Sequence, residues 1–190
     1  MDSTQTEIVI RRPWTEGETL FLQGPGGVGK STLGRELAQR LGWPLIDLDL
    51  EFCEQLQSIG RFIADHGYPR YRAENLALAG RLVASLPGPS VFVTSSGFLA
   101  AEPHSADHQS ARRIVAGGYG VTLLPSLDID VATAIVVTRQ LRRGFGLEQA
   151  SEERKFRQRF HIYHQAGAML VVSTDAAAAI AEELLDRLRR

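Results

Sequence analysis

A glycine-rich segment constrains the fold of this chain more than any other feature. Residues 24–31 read Gly-Pro-Gly-Gly-Val-Gly-Lys-Ser, which is a glycine, four free positions, and then glycine, lysine and serine. The apolar segment Leu20–Gln23 before it predicts a β-strand, and Lys30–Leu41 after it carries leucines at helical spacing. Glycines let backbone amides approach phosphate oxygens, and a helix start adds the positive end of its dipole. The segment therefore predicts a strand, a phosphate-binding loop and a helix in succession.

The pattern also predicts roles for individual side chains of this loop. The Lys30 ammonium would bridge the terminal phosphates of ATP, and the Ser31 hydroxyl would ligate the Mg²⁺ that neutralises charge during phosphoryl transfer. A glycine-rich turn capped by Ser31 is the structural alternative. We assign nucleotide binding to the run Gly26, Gly27, Val28, Gly29, Lys30, Ser31 and Thr32.

Length, composition and charge limit the domain count and the partners. The chain has 190 residues, of which 44% are hydrophobic, and this suits a single compact domain over residues 19–190. Residues 1–18 before it would form an N-terminal arm or an edge strand. A formal net charge of -1 gives no field that would hold nucleic acid. No apolar run reaches the ~20 residues of a membrane span, and the N-terminus is polar. We expect a cytoplasmic monomer or homodimer, with the single cysteine, Cys53, buried.

Apolar runs rich in branched residues alternate with longer amphipathic segments along the chain. This alternation predicts the α/β class, in a three-layer P-loop NTPase fold with a five-stranded parallel sheet flanked by helices. The strands are expected at Leu20–Gln23, Pro44–Leu48, Ser90–Thr94, Val121–Leu124 and Met169–Ser173. The helices are expected at Lys30–Leu41, Leu50–Gln57, Ile59–His66, Arg70–Leu86, Ser110–Val115, Asp130–Arg143, Ser151–Ala166 and Ala176–Arg189.

Two aspartates stand at the end of the second predicted strand, in the sequence Asp47-Leu48-Asp49. An open α/β sheet places its ligand crevice at the carboxyl ends of its strands, so both side chains should face the phosphoryl acceptor. Asp47 would hold Mg²⁺ through the water shell of the ion, and Asp49 would orient or deprotonate the acceptor hydroxyl. The alternative is that the pair caps the helix that follows.

Small-molecule kinases are the P-loop class that remains after exclusion. The chain has no Asn-Lys-x-Asp segment of the kind that reads guanine in GTPases, and motor or AAA-type ATPases are usually larger. The segments Gly29–Arg35 and Pro44–Asp49 resemble shikimate kinases nearly residue for residue. Ser58-Ile59, Gly67 and Tyr71-Arg72 occur in the order of that family, and Arg159–Tyr163 is similar to its Arg-x-Pro-Leu-Tyr. The resemblance spans roughly residues 19–190 and is sparse between residues 99 and 158.

The resemblance implies further residues of an acceptor site. Arg72 and Arg159 would be the clamps of a carboxylate and a hydroxyl, a role that suits the planar guanidinium group. Ser95-Ser96-Gly97 stands where shikimate kinases have three glycines, so Ser96 and Gly97 would contact the substrate. Each arginine by itself could be a surface charge, and an ordinary strand-ending turn is the alternative for the two serines.

A basic segment near residues 139–150 is the candidate for a lid over ATP. It contains three arginines and two glycines between Arg139 and Gly146. A mobile segment of this kind carries an arginine that stabilises charge on the transferred phosphoryl group. We expect Arg142 or Arg143 in that role and Arg139 near the adenine; the alternative is a solvated helix end whose positive charge favours its C-terminus.

These observations predict an enzyme that phosphorylates a hydroxyl group on a small anionic, carboxylated metabolite, with ATP and Mg²⁺ as cofactors. Lys30, Asp49 and a lid arginine carry the chemistry, and the resemblance makes shikimate the first candidate substrate. A gluconate-type or antibiotic-modifying kinase is an alternative that the altered serine loop leaves open. A nucleotide-binding regulatory protein without turnover is an alternative from another class.

Overall fold

A computed structural model describes residues 6–143 and 146–189. Short strands alternate with helices along these residues. The strands are β1 (Glu7–Ile10), β2 (Leu20–Gln23), β3 (Leu45–Asp47), β4 (Val91–Val93), β5 (Tyr119–Leu124) and β6 (Met169–Val172). The helices are α1 (Lys30–Leu41), α2 (Leu48–Gln55), α3 (Ile59–His66), α4 (Tyr68–Ala84), α5 (Ala106–Ala116), α6 (Ile129–Leu141), α7 (Gln149–Gln165) and α8 (Ala177–Leu188).

The sheet confirms the α/β class but corrects the strand count. Its order is β1-β6-β5-β2-β4-β3, with β2 to β6 parallel and β1 antiparallel to β6. The five predicted strands are therefore present, and β1 adds a sixth that makes the sheet mixed. The strand β1 is mostly exposed although three of its four residues, Ile8, Val9 and Ile10, are apolar. Its place depends on backbone pairing with β6, such as Ile8 opposite Val171, which the sequence does not reveal.

Several element boundaries differ from the predicted ones because of capping. The helix α5 begins at Ala106 rather than Ser110, since Ser105 accepts a hydrogen bond from the backbone N–H of His108. The helix α2 begins at Leu48, immediately after its capping residue Asp47. The expectation of a buried cysteine is wrong, because Cys53 lies on the exposed side of α2.

The core holds the strands against the helices and fixes the edge where the site forms. Leu33 and Leu37 on α1 are fully buried against the sheet, each contributing about 1.5–3 kcal/mol from burial. Phe21 and Phe92 pack between β2 and β4 with ring centroids 5.3 Å apart. Because β2, β3 and β4 are parallel, the loops after them emerge at one edge of the sheet. Within the described ranges, no helix is long and apolar enough to cross a membrane.

Candidate active site

The loop after β2 presents backbone groups rather than side chains. Gly29 is the N-cap of α1, with φ of 99° and no side-chain hydrogen bond to the first turn. The N–H groups of that turn therefore remain available to an anion, and the helix dipole favours one there. Gly24 has φ of 144°, and a Cβ at that position would lie 2.7 Å from the backbone oxygen of Leu123. Glycine is thus required at the start of the loop by both backbone conformation and space.

Lys30 is enclosed within the curve of this loop. Its ammonium donates hydrogen bonds to the backbone oxygens of Gly24 at 2.8 Å and Pro25 at 2.9 Å. Burial lowers the pKa of Lys30 from 10.5 to about 8, although the nearby Asp49 and Asp47 carboxylates oppose the change. The site therefore holds a desolvated cation that phosphate oxygens would stabilise.

The two aspartates at the carboxyl end of β3 have different surroundings. Asp47 accepts a hydrogen bond from the backbone N–H of Asp49 at 3.2 Å and caps α2, so the capping alternative applies to Asp47 rather than Asp49. Asp49 accepts a hydrogen bond of 2.5 Å from the Ser95 hydroxyl. Burial raises the pKa of Asp49, while the hydrogen bond from Ser95 and the charge of Lys30 lower it. Asp49 is thus the carboxylate that the fold holds inside the site.

A cavity of about 340 Å³ lies over the phosphate loop. Loop residues, Asp49 and Arg143 face it together, so it combines anion-binding groups with a carboxylate. Its lining is Gly26, Gly27, Gly29, Lys30, Ser31, Thr32, Asp49, Ile59, Val93, Thr94, Ser96, Gln140, Arg143 and Leu147. Of the assigned loop residues, Val28 alone is absent from this lining; it is buried and packs beside Gly24.

A second cavity, of about 400 Å³, adjoins the first. Its walls are apolar and aromatic, with a few charged groups, as is usual for a small-molecule site. Its lining is Pro25, Gly26, Ile59, Ile63, Tyr68, Tyr71, Ser96, Gly97, Val136, Gln140, Glu152, Lys155, Phe156 and Arg159. The two cavities share four lining residues, Gly26, Ile59, Ser96 and Gln140.

Two arginines contact the loop at Ser96 and Gly97. Arg159 lines the second cavity, where its guanidinium hydrogen-bonds with the Ser96 hydroxyl at 3.4 Å and the Tyr68 phenol at 3.3 Å. Arg72 donates to the Gly97 backbone oxygen at 2.7 Å and lies 3.5 Å from the Asp107 carboxylate. The structure therefore brings Arg159 into the cavity lining, and Arg72 is not part of that lining. Arg70 points away, toward Glu74 on the surface.

Comparisons with known proteins identify the family. A family model for shikimate kinase matches residues 26–189. The shikimate kinase of Xanthomonas oryzae pv. oryzae (strain PXO99A) is 30% identical over 161 residues, covering 82% of each chain. That of Rhizobium leguminosarum bv. trifolii is 33% identical over 171 residues, which are 87% of this chain and 81% of that one. The chain belongs to the shikimate kinase family.

A solved structure agrees with this assignment at the level of the fold. The shikimate kinase from Acinetobacter baumannii, in complex with shikimate, superposes with a TM-score of 0.75 at 21% identity, covering 90% of this chain and 92% of that one. The protein is accordingly an ATP-dependent kinase of small molecules. The family match does not favour the gluconate-type, antibiotic-modifying or regulatory alternatives.

The lid arginines differ in where the structure places them. Arg142 and Arg143 are both exposed, but only Arg143 of the two lines the phosphate cavity, and Arg139 is partly exposed in the last turn of α6. Neither Arg142 nor Arg139 is part of the lining of the two cavities. Residues 144 and 145 of the predicted lid lie outside the described residues.

Several residues at the site were not identified from the sequence. Asn75 is buried on α4 and donates to Ser95 at 3.1 Å. A polar residue on a helix face whose neighbours Tyr71, Leu78 and Ala79 are buried was the available signal. Gln140 stands between the two cavities near Gly26. No local pattern marks it, because its position results from α6 packing over the loop.

Proposed function

We propose that the protein transfers the γ-phosphoryl group of ATP to a hydroxyl group of shikimate. The observation that carries the proposal is that the two cavities adjoin along a shared wall, formed by Gly26, Ile59, Ser96 and Gln140. A phosphate chain on the loop and a small acceptor in the second cavity would meet at this wall. The Asp49 carboxylate would stand beside them, since it lines the phosphate cavity near Ser96.

The chemistry of this transfer is assigned to residues on both sides of the wall. Lys30 and the loop amides would bind the phosphates, and Arg143 would stabilise the charge that shifts to the leaving ADP. Asp49 would accept the proton of the acceptor hydroxyl as its oxygen attacks the γ-phosphorus. The bond from that phosphorus to the β,γ-bridging oxygen breaks, and ADP departs with the electron pair.

Mg²⁺ is proposed as the metal that accompanies ATP. Among the residues that the structure describes, no group of three His, Cys, Asp or Glu side chains could hold a metal by itself. This fits Mg²⁺, which proteins usually bind through one or two side chains together with substrate phosphates and water. The exposed Ser31 hydroxyl would ligate the ion directly, and Asp47 would reach it through water.

The acceptor would be held by its carboxylate and hydroxyl groups. Arg159 is the guanidinium that faces the acceptor cavity, and it can offer two parallel N–H groups to a carboxylate. Ser96 and Gly97 lie beside it in the lining. We propose that Arg72 supports the acceptor indirectly, by holding the backbone of the Gly97 loop rather than by contacting the carboxylate itself.

The test is a coupled assay of ADP release with Mg²⁺, ATP and a panel of hydroxylated carboxylates that includes shikimate and gluconate. We expect shikimate-dependent ADP release, which Asp49→Asn should lower by roughly 10²–10⁴-fold, the usual contribution of a general base. Asp65→Asn, on the exposed end of α3, is the matched control. Normal ATP binding with no shikimate-dependent rate would overturn the proposed substrate.

A further inference from the structure

A buried chain of hydrogen bonds connects Asp49 to residues that do not line its cavity. The Asn75 amide nitrogen lies 3.1 Å from the Ser95 hydroxyl oxygen, and that hydroxyl lies 2.5 Å from the Asp49 carboxylate. Asn75 and Ser95 are 4% and 3% exposed. Three separate elements therefore meet through one serine: α4, the turn after β4, and α2.

The direction of these hydrogen bonds is fixed by the groups involved. An ionised carboxylate only accepts hydrogen bonds, so the Ser95 hydroxyl must use its single proton for Asp49. Ser95 can then only accept, and the Asn75 N–H is the group that satisfies it. The Ser95 oxygen also lies 3.4 Å from the Asn75 side-chain oxygen, but the hydroxyl has no second proton to donate there. The chain therefore runs from Asn75 to Ser95 to Asp49.

Tyr71 lies close to the same serine, one helical turn before Asn75 on α4. Burial together with the nearby Asp49 raises the pKa of its phenol, while the interaction with Ser95 lowers it. The phenol therefore keeps its proton at neutral pH, and Asn75 is the residue whose hydrogen bond holds the Ser95 oxygen.

We infer that Ser95 and Asn75 are positioning residues that hold one oxygen of Asp49 and direct the other toward the acceptor hydroxyl. This inference rests on the proposed function of Asp49. A carboxylate that is held at one oxygen loses rotational freedom, and a general base acts efficiently only when its geometry is correct. Neither glycine nor alanine at residue 95 could make this contact, because both lack a hydroxyl.

The first experiment compares Ser95→Ala with Ser90→Ala. Both serines are buried, but Ser90 lies before β4 and its hydroxyl donates to the Gly88 backbone oxygen. We expect Ser95→Ala to lower kcat on the order of tenfold, part of the ~10²–10⁴ that a general base contributes, while KM for ATP stays unchanged. Asn75→Leu should lower kcat in the same direction, and Ser95→Thr, which keeps the hydroxyl, should restore part of it. Equal kcat in wild type and Ser95→Ala would overturn the inference.

A second measurement decides the question if no acceptor in the panel supports turnover. Urea unfolding of Ser95→Ala, Asp49→Ala and the double variant tests whether the two side chains are coupled in the folded protein. We expect the double variant to differ from the sum of the single changes, because each single change removes the same hydrogen bond. Strict additivity would refute the positioning role whatever the substrate. An absent shikimate-dependent rate in wild type, with coupling present, would instead refute only the proposed substrate.

Discussion

The phosphate side and the acceptor side of the site are built in different ways. The phosphate side contains one continuous loop segment, residues 26–32, which supplies Lys30 and the first turn of α1, and other elements add Asp49 and Arg143 to the lining. The acceptor side takes side chains from α3, α4, α6, α7 and the turn after β4. The phosphate loop is therefore local in the sequence, whereas the acceptor side exists only after the chain has folded.

This difference predicts how each side responds to substitution. On the phosphate side, backbone conformation and close packing allow only glycine at a position such as Gly24. Lys30 supplies the buried ammonium of the loop, which no uncharged side chain can replace. The acceptor side is held by side chains such as Arg159 and Tyr163 that hydrogen-bond to the loop at residue 96. Burial raises the pKa of Tyr163 to about 12, so its phenol remains a donor to the Ser96 backbone oxygen at neutral pH.

Lys30→Met should have the largest effect on turnover. Removing the ammonium takes away the only lysine of the phosphate loop, so we expect kcat to fall on the order of 10³-fold, as for the loss of a charge-stabilising group. Steady-state ADP release with saturating acceptor measures this loss. A fall of less than tenfold would contradict the view that this side depends on one irreplaceable cation.

Arg143→Ala should have the next largest effect on turnover, and comparing it with Arg142→Ala shows which arginine acts in the lid. Arg143 faces the phosphate cavity and Arg142 does not, so we expect Arg143→Ala to lower kcat on the order of 10²-fold and Arg142→Ala to change it little. Arg154→Ala, on the exposed face of α7, is a control for loss of positive charge. The reverse order of the two effects would assign the lid role to Arg142.

Arg159→Ala should affect the acceptor alone. We expect kcat/KM for the acceptor to fall about 30-fold, equivalent to the ~2 kcal/mol of one charge-assisted hydrogen bond. KM for ATP should not change, because Arg159 lines only the second cavity. Arg157→Ala is the matched control on the same helix, since Arg157 pairs with Asp130 on the surface. An equal loss for ATP would show that the two sides are not separable.

The same contrast explains what could be predicted from the sequence. The loop, the strand before it and the helix after it were predicted with their observed bounds, because their signals are local. The pairing of β1 with β6 and the contact of Asn75 with Ser95 were not predicted. They join residues far apart in the chain, and the hydrophobic pattern contains no information about that pairing. The altered loop at Ser95 was visible in the sequence, but its bond to Asp49 required the fold.

The smallest predicted effect concerns stability. Burial keeps the pKa of Lys30 at about 8 instead of 10.5, a difference worth on the order of 3 kcal/mol at 1.36 kcal/mol per pKa unit. Its two hydrogen bonds to Gly24 and Pro25 offset about 1 kcal/mol each. Lys30→Met should therefore raise the free energy of unfolding of the nucleotide-free protein by about 1 kcal/mol, or ~2–4 °C in Tm.

The pH dependence of the stability gained in Lys30→Met tests whether the gain comes from removing a buried charge. Below pH 8, Lys30 is protonated in both the folded and the unfolded protein, so the cost of burying the charge is fully present. Between pH 8 and pH 10.5 the folded form releases its proton first, and wild type should gain stability relative to Lys30→Met as the pH rises. Urea unfolding of both proteins across this range, without divalent cations, measures the difference. If the difference in free energy of unfolding between the two proteins stays constant with pH, packing rather than burial of the Lys30 charge accounts for it. In that case ATP would not stabilise the folded protein by neutralising a buried charge.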